Sequence, residues 1–167
     1  MKSARLFSRD FTLMVIGQII SLFGNAVLRF ALPLQVLDAT GSAAAFGGVL
    51  ALSMVPVLLC SPLGGVLADR VPRQRIMWGL DFSTAALAAG YGLLFAGGHS
   101  VAAVGGMMVL LSAIQALYQP AVQASIPVLV AEEHLPAANG VVAQVQALSS
   151  LLGPILGGIL YGWVGLA

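Results

Sequence analysis

Charge is scarce in this sequence. Seven Lys/Arg and six Asp/Glu make up 8% of its 167 residues. A water-facing globule carries about 25% charged residues, so a soluble surface is excluded. Cysteine occurs once, as Cys60 in the apolar run Leu58-Leu59-Cys60-Ser61-Pro62. That excludes a disulfide framework and a cysteine-based metal site. With no cationic neighbour to favour the thiolate, Cys60 reads as an inert thiol. The two histidines, His99 and His134, are far apart in connecting segments, and no glycine-rich phosphate loop opens a helix after a strand. No enzyme chemistry, resident cofactor or metal, or ATP-driven step is predicted. A net charge of +1 gives no signal for a nucleic-acid partner.

Apolar residues fill the space: 59% of the chain, with a mean hydropathy of +1.00. A bilayer crossing takes about 20 apolar residues at ~1.5 Å each. Five stretches reach that length, at residues 11–37, 43–67, 76–96, 101–130 and 138–166. They predict a single all-α domain, a polytopic bundle of about five transmembrane helices with the lipid bilayer as solvent. Twenty glycines and eight prolines lie scattered through these stretches, as transmembrane helices tolerate. The turn-like Asp38-Ala39-Thr40-Gly41-Ser42, the charged 68–75 and the acidic 131–136 read as connections. Lys2, Arg5 and Arg9 ahead of an apolar run also describe a secretory leader, but a run reaching Leu37 is too long for its apolar region.

The basic residues orient the chain. Lys2, Arg5 and Arg9 precede the first stretch, and Arg70, Arg73 and Arg75 separate the second from the third. With a cytoplasmic N-terminus all six lie inside, as the positive-inside rule requires. Multi-pass insertion in the cell membrane follows. The seventh, Arg29, falls within a span.

The most specific run is Gly65-Val66-Leu67-Ala68-Asp69-Arg70-Val71-Pro72-Arg73-Gln74-Arg75. Gly65 would let two helices approach closely, Asp69 can accept hydrogen bonds at a helix end, and Arg70 or Arg73 can pair with a carboxylate. The run, with Arg75, resembles the signature loop between the second and third helices of the major facilitator superfamily. Pro72 and Gln74 depart from its usual Gly and basic residue. Tyr118-Gln119-Pro120-Ala121-Val122-Gln123 and Leu135-Pro136-Ala137-Ala138-Asn139-Gly140 resemble the branch holding enterobactin exporters and macrolide efflux proteins. The first span agrees through Ser21-Leu22-Phe23-Gly24-Asn25 and Arg29, although that branch often has Asp where this chain has Asn25. Gly153-Pro154-Ile155-Leu156-Gly157-Gly158 is similar to an element of antiporter-type members, and it reads equally as a kink with close packing. The resemblance implies the first five of twelve helices, alternating access, and a small amphipathic or hydrophobic substrate moved outward.

Several residues are candidates for the transport path. A charge near mid-span costs about 2.5–3.5 kcal/mol on insertion scales, so Arg29 either faces a wet cavity or snorkels outward. Gln115, Gln119 and Gln123 recur every four residues and drift only ~40° per step, so they line one stripe. That stripe is either substrate-lining or interhelical glue, with Tyr118 beside it to stack on a flat compound. Asp81, shallow and near Arg73 and Arg75, reads as an ion-pair partner rather than a coupling carboxylate.

These readings predict a front part of an efflux transporter that needs a missing C-terminal half or a companion chain. The rival is a small non-transporting membrane protein, an assembly subunit or an inactive truncated product.

Overall fold

The computed structural model of the chain describes residues 6–94 and 100–165, and all side chains in those ranges except those of 68–69 and 164–165. Five long helices carry nearly all of it: α1 Arg9–Thr40, α2 Ala43–Arg70, α3 Arg73–Leu94, α4 Val101–Leu129 and α5 Leu135–Gly165. Helices α1 and α2, and the starts of α3 and α5, extend past the apolar stretches, because a polar residue at the membrane surface can still continue a helix.

Local chemistry sets each end. Ser8 accepts from the Phe11 amide at 3.3 Å, an N-cap bond for α1, and Asp10 suits the first turn's positive dipole end. The residues 38–40, expected in a turn, belong to α1, and Thr40 Oγ1 donates back to the Val36 carbonyl at 2.6 Å. The corner is Gly41-Ser42 alone. Gly41 adopts φ +62°, the left-handed conformation that favours glycine, and Ser42 then accepts from the Ala45 amide at 3.2 Å to start α2. The charged segment 68–75 is likewise mostly helical. Only Val71-Pro72 interrupts it, with Val71 extended at φ −118°, ψ 143° as a residue before proline must be. Ser100 caps α4 through the Ala103 amide at 3.1 Å. A short 3-10 turn, Glu132–His134, leads into α5.

Four helical stretches are long and apolar enough to cross a membrane: Arg9–Thr40, Ala43–Leu67, Val101–Leu129 and Glu132–Trp163. Among the described residues α3 is not one of them. Arg73 and Arg75 begin it, and Trp78, Asp81, Ser83 and Thr84 dilute its first half.

The chain divides into two compact units. Unit 1 comprises Met1–Ala31 and Gln123–Ala167, and unit 2 comprises Leu32–Val122. In unit 1, α1 buries Phe11, Met14, Val15, Gln18, Leu22 and Asn25, while α5 buries Ala138, Val142, Val145 and Ser149. Both sets repeat at three and four residues, one stripe per helix. A methyl group on Gly153 would overlap Ala26 Cβ, and one on Gly157 would come within 3.2 Å of the Val27 carbonyl and Phe30 Cδ1. The paired positions advance by four on both helices, so α1 and α5 run parallel with backbones nearly touching.

Unit 2 has its own parallel pair. A Cβ at Gly105 would lie 3.7 Å from Leu52 Cδ2, and one at Gly64 2.8 Å from the Ala116 carbonyl and 3.2 Å from Leu117 Cα. These contacts advance together along α2 and α4. Two parallel helices joined through a third require that α3 return the chain, and 22 residues of helix reach ~33 Å. Tyr91, near the end of α3, donates its hydroxyl to Gln35 Oε1 of α1 at 3.3 Å.

Candidate functional site

A polar side chain inside a membrane-spanning helix needs a partner, so its position marks where function can lie. On α1 the polar residues Gln18, Ser21, Asn25 and Arg29 are separated by three, four and four residues and share one face. Gln18 is 0% exposed and Asn25 6%. Asn25 Nδ2 donates to the Ser21 carbonyl at 2.9 Å, one turn back, while its Oδ1 has no hydrogen-bond partner. Arg29 is half-buried one turn further along. Expected from sequence as cavity candidates, Asn25 and Arg29 thus belong to one polar face of unit 1. Gln18 extends it inward.

Sequence reasoning missed Gln18. Its signal was present: an amide in the apolar run Val15-Ile16-Gly17-Gln18-Ile19-Ile20, two helical turns before Asn25.

The glutamines of α4 divide between the units. Gln115 and Gln119 are half-buried in unit 2 and Gln123 is exposed in unit 1. Tyr118 is 3% exposed, packed in the interior of unit 2. The ~40° drift per step carries the stripe from a partly covered position at Gln115 to an open one at Gln123.

At the Val71-Pro72 corner, Arg70 ends α2 and Arg73 and Arg75 open α3. Arg70 and Arg75 are exposed and Arg73 is half-buried. Arg70 suits the negative C-terminal end of its helix, but Arg73 and Arg75 stand at a positive N-terminal end, where cations are unfavourable. Helix stability therefore does not account for them. The Asp69 side chain lies outside the described residues. Asp81, half-buried, is two turns into α3.

At Gly65 a Cβ would meet nothing within 4 Å among the described residues, and the close approach in unit 2 belongs to Gly64, whose Cβ position also lies 3.0 Å from Pro120 Cγ. The glycine element of α5 is split in the same way. Gly153 and Gly157 face α1 at overlapping or 3.2 Å distances, Gly158 has ordinary contact with Phe30 at 3.5 Å, and Pro154 is half-buried between them.

Comparison with known proteins places this architecture. Macrolide efflux protein A of Streptococcus pyogenes is 33% identical over 148 residues, covering 87% of this chain and 36% of that protein. Macrolide efflux protein A of Enterococcus faecalis is 34% identical over 113 residues, covering 66% of this chain and 34% of that protein. The multidrug efflux pump Tap of Mycobacterium tuberculosis (strain ATCC 25618 / H37Rv) is 27% identical over 160 residues, covering 92% and 38%. The chain thus spans little more than a third of the length of these relatives. No solved structure matches it. The family model of the Major Facilitator Superfamily matches residues 14–167, from the first helix to the last residue. A multi-pass membrane chain of five helices matched over that range belongs to the Major Facilitator Superfamily.

Proposed function

We propose that this chain forms helices one to five of an efflux transporter that moves small amphipathic or hydrophobic compounds outward by alternating access. Further helices, on a longer chain or a companion, complete the path. The observation carrying this reading is the similarity to Macrolide efflux protein A, which runs through 87% of the chain. The buried polar face of α1 supports it, since amides and a guanidinium inside a span are costly unless they serve a wet path. Transport then rests on relative motion of helix groups, not on covalent chemistry, and the substrate would be bound by apolar contact with a few polar anchors.

The same reading sets the chain in the cell membrane with a cytoplasmic N-terminus. Arg70, Arg73 and Arg75 would then lie inside with the basic N-terminal segment. α3 serves as the fifth crossing, because the parallel α2 and α4 need a returning helix between them.

An efflux-deficient bacterium tests the proposal. The chain is expressed alone or joined to the part of the S. pyogenes relative that lies beyond the matched segment, and accumulation of a macrolide is measured. The joined protein is expected to lower accumulation, and Asp69→Asn to abolish that effect. The chain alone is expected to have none. Efflux by the chain alone would overturn the need for further helices, and a joined protein present in the membrane yet without effect would overturn the transport reading. Orientation is checked in a Cys60→Ser background with an impermeant maleimide. Ser42→Cys should label on intact cells and Gln74→Cys only after permeabilisation.

A further inference from the structure

Gln18 is the most deeply buried polar side chain of unit 1, and neither Oε1 nor Nε2 has a hydrogen-bond partner. Two turns along the same face, at an axial rise of ~10 Å, Asn25 Oδ1 is also buried without one. Leaving such groups dry is expensive, and hydrocarbon offers them nothing. The opposing helix supplies a third group. Ser149 of α5, 3% exposed, donates its hydroxyl to the Val145 carbonyl at 2.8 Å. Its own oxygen keeps lone pairs for another donor. Continuing the parallel register from Ala26/Gly153 by steps of four sets Leu22 level with Ser149 and Gln18 level with Val145. Ser149 therefore lies at the height of the Gln18–Asn25 stretch, on the helix that packs against α1 at Ala26.

Their chemistry selects a ligand. The unmet set is the oxygens of Gln18, Asn25 and Ser149 and the NH2 of Gln18, so an occupant must both donate and accept. An anion would meet mostly acceptors. A cation would lack a carboxylate among these groups and would feel Arg29 one turn beyond Asn25. A hydroxyl fits, and a trapped water needs two to four such partners.

We propose that Gln18 and Asn25 of α1, with Ser149 at the same height on α5, form a buried site within unit 1 for a neutral hydroxyl group, supplied by water or by a transported compound. The compound source rests on the transport reading, whereas the water source does not.

Water-edited solid-state NMR on the full chain in lipid, observing 15N-labelled glutamine side chains, tests it. Gln18→Leu assigns the Gln18 signal, with Gln18→Met serving if the leucine variant does not accumulate. The expected result is magnetisation transfer from water to Gln18 Nε2 in compound-free protein, cut at least twofold by Asn25→Leu. Adding the compound of the efflux assay separates the sources: persistence of the transfer assigns the site to water, and its replacement by a contact to the compound assigns it to the compound's hydroxyl. No transfer from water and no contact to the compound would overturn the site. Transfer unaffected by Asn25→Leu would overturn a site shared with Asn25. None of the water measurements requires transport, so a failed efflux assay would leave them standing.

Discussion

The two units are built alike and differ in what they bury. Each rests on a parallel helix pair drawn together at glycine: α1 with α5 at Gly153 and Gly157, α2 with α4 at Gly64. Unit 2 buries mainly apolar side chains, among them Val49, Val104, Met107, Met108 and Leu111, together with the hydroxyl residues Ser53, Ser112 and Tyr118, and Ser53 donates to the Leu50 carbonyl of its own helix at 2.7 Å. A hydroxyl satisfied within its own helix asks nothing of a neighbour. Unit 1 buries Gln18 and Asn25, whose amides retain unmet capacity. Amides also extend further from the backbone than hydroxyls. The contrast teaches that similar close packing can accompany two interiors: one whose buried polar groups are hydroxyls in unit 2, and one that buries amides in unit 1.

The sharpest break of that comparison is at Gly153. In Gly153→Ala the new methyl overlaps Ala26 Cβ, with Ala26 Cα at 3.3 Å behind it. Neither atom belongs to a flexible side chain, so the helices must separate. The expected loss is about 3 kcal/mol, the upper end of overpacking costs, read as an unfolding midpoint in mild detergent. Adding Ala26→Gly removes the main clash. Measured against Ala26→Gly alone, the double variant should recover more than half of the loss as coupling energy. Additive losses would mean that these two positions do not meet.

Gly64→Ala tests the joint in unit 2. The added Cβ faces the Ala116 carbonyl at 2.8 Å, the Pro120 ring at 3.0 Å and Leu117 Cα at 3.2 Å. Backbone and a rigid ring cannot be trimmed by one compensating substitution, so no rescue like that of Ala26→Gly is expected. Alanine recovers about 1 kcal/mol of helix propensity, and the net loss should be about 2 kcal/mol. The neighbouring Gly65→Ala meets open space and should be neutral or stabilising by up to about 1 kcal/mol. Equal losses at the two positions would refute the α2–α4 register.

These glycines also show how far the sequence could be read. The helices were legible because hydrocarbon leaves a spanning chain few other options, and the exposed apolar residues Leu58, Leu59, Leu93 and Leu151 need no soluble explanation. Helix ends were less legible. Thr40 and Arg70 look like connection residues, yet they sit at the surface, where a polar side chain and a helical backbone coexist. The choice between Gly64 and Gly65 could not be read at all, because adjacent residues differ by ~100° around a helix and only the neighbour decides which one is covered. Gln18 was legible in principle. Its spacing to Asn25 follows the same periodicity that identified the α4 stripe, but a single amide in an apolar run draws less notice than a glutamine repeated three times.

The smallest expected effect concerns α3, whose composition alone does not qualify it as a span. Its described tie to α1 is the Tyr91 hydroxyl on Gln35 Oε1, at 3.3 Å a long hydrogen bond between half-buried residues of unit 2. Tyr91→Phe removes the donor and keeps the ring, so packing is conserved. A net hydrogen bond contributes about 0.5–1.5 kcal/mol, and the length of this one puts the expected loss near about 0.5 kcal/mol. Gln35→Leu should lose a similar amount, and the double variant no more than either single change, since both remove the same bond. Full additivity in that cycle would show that Tyr91 and Gln35 act separately. The returning course of α3 would then rest on the chain order of the parallel α2 and α4 and not on this hydrogen bond.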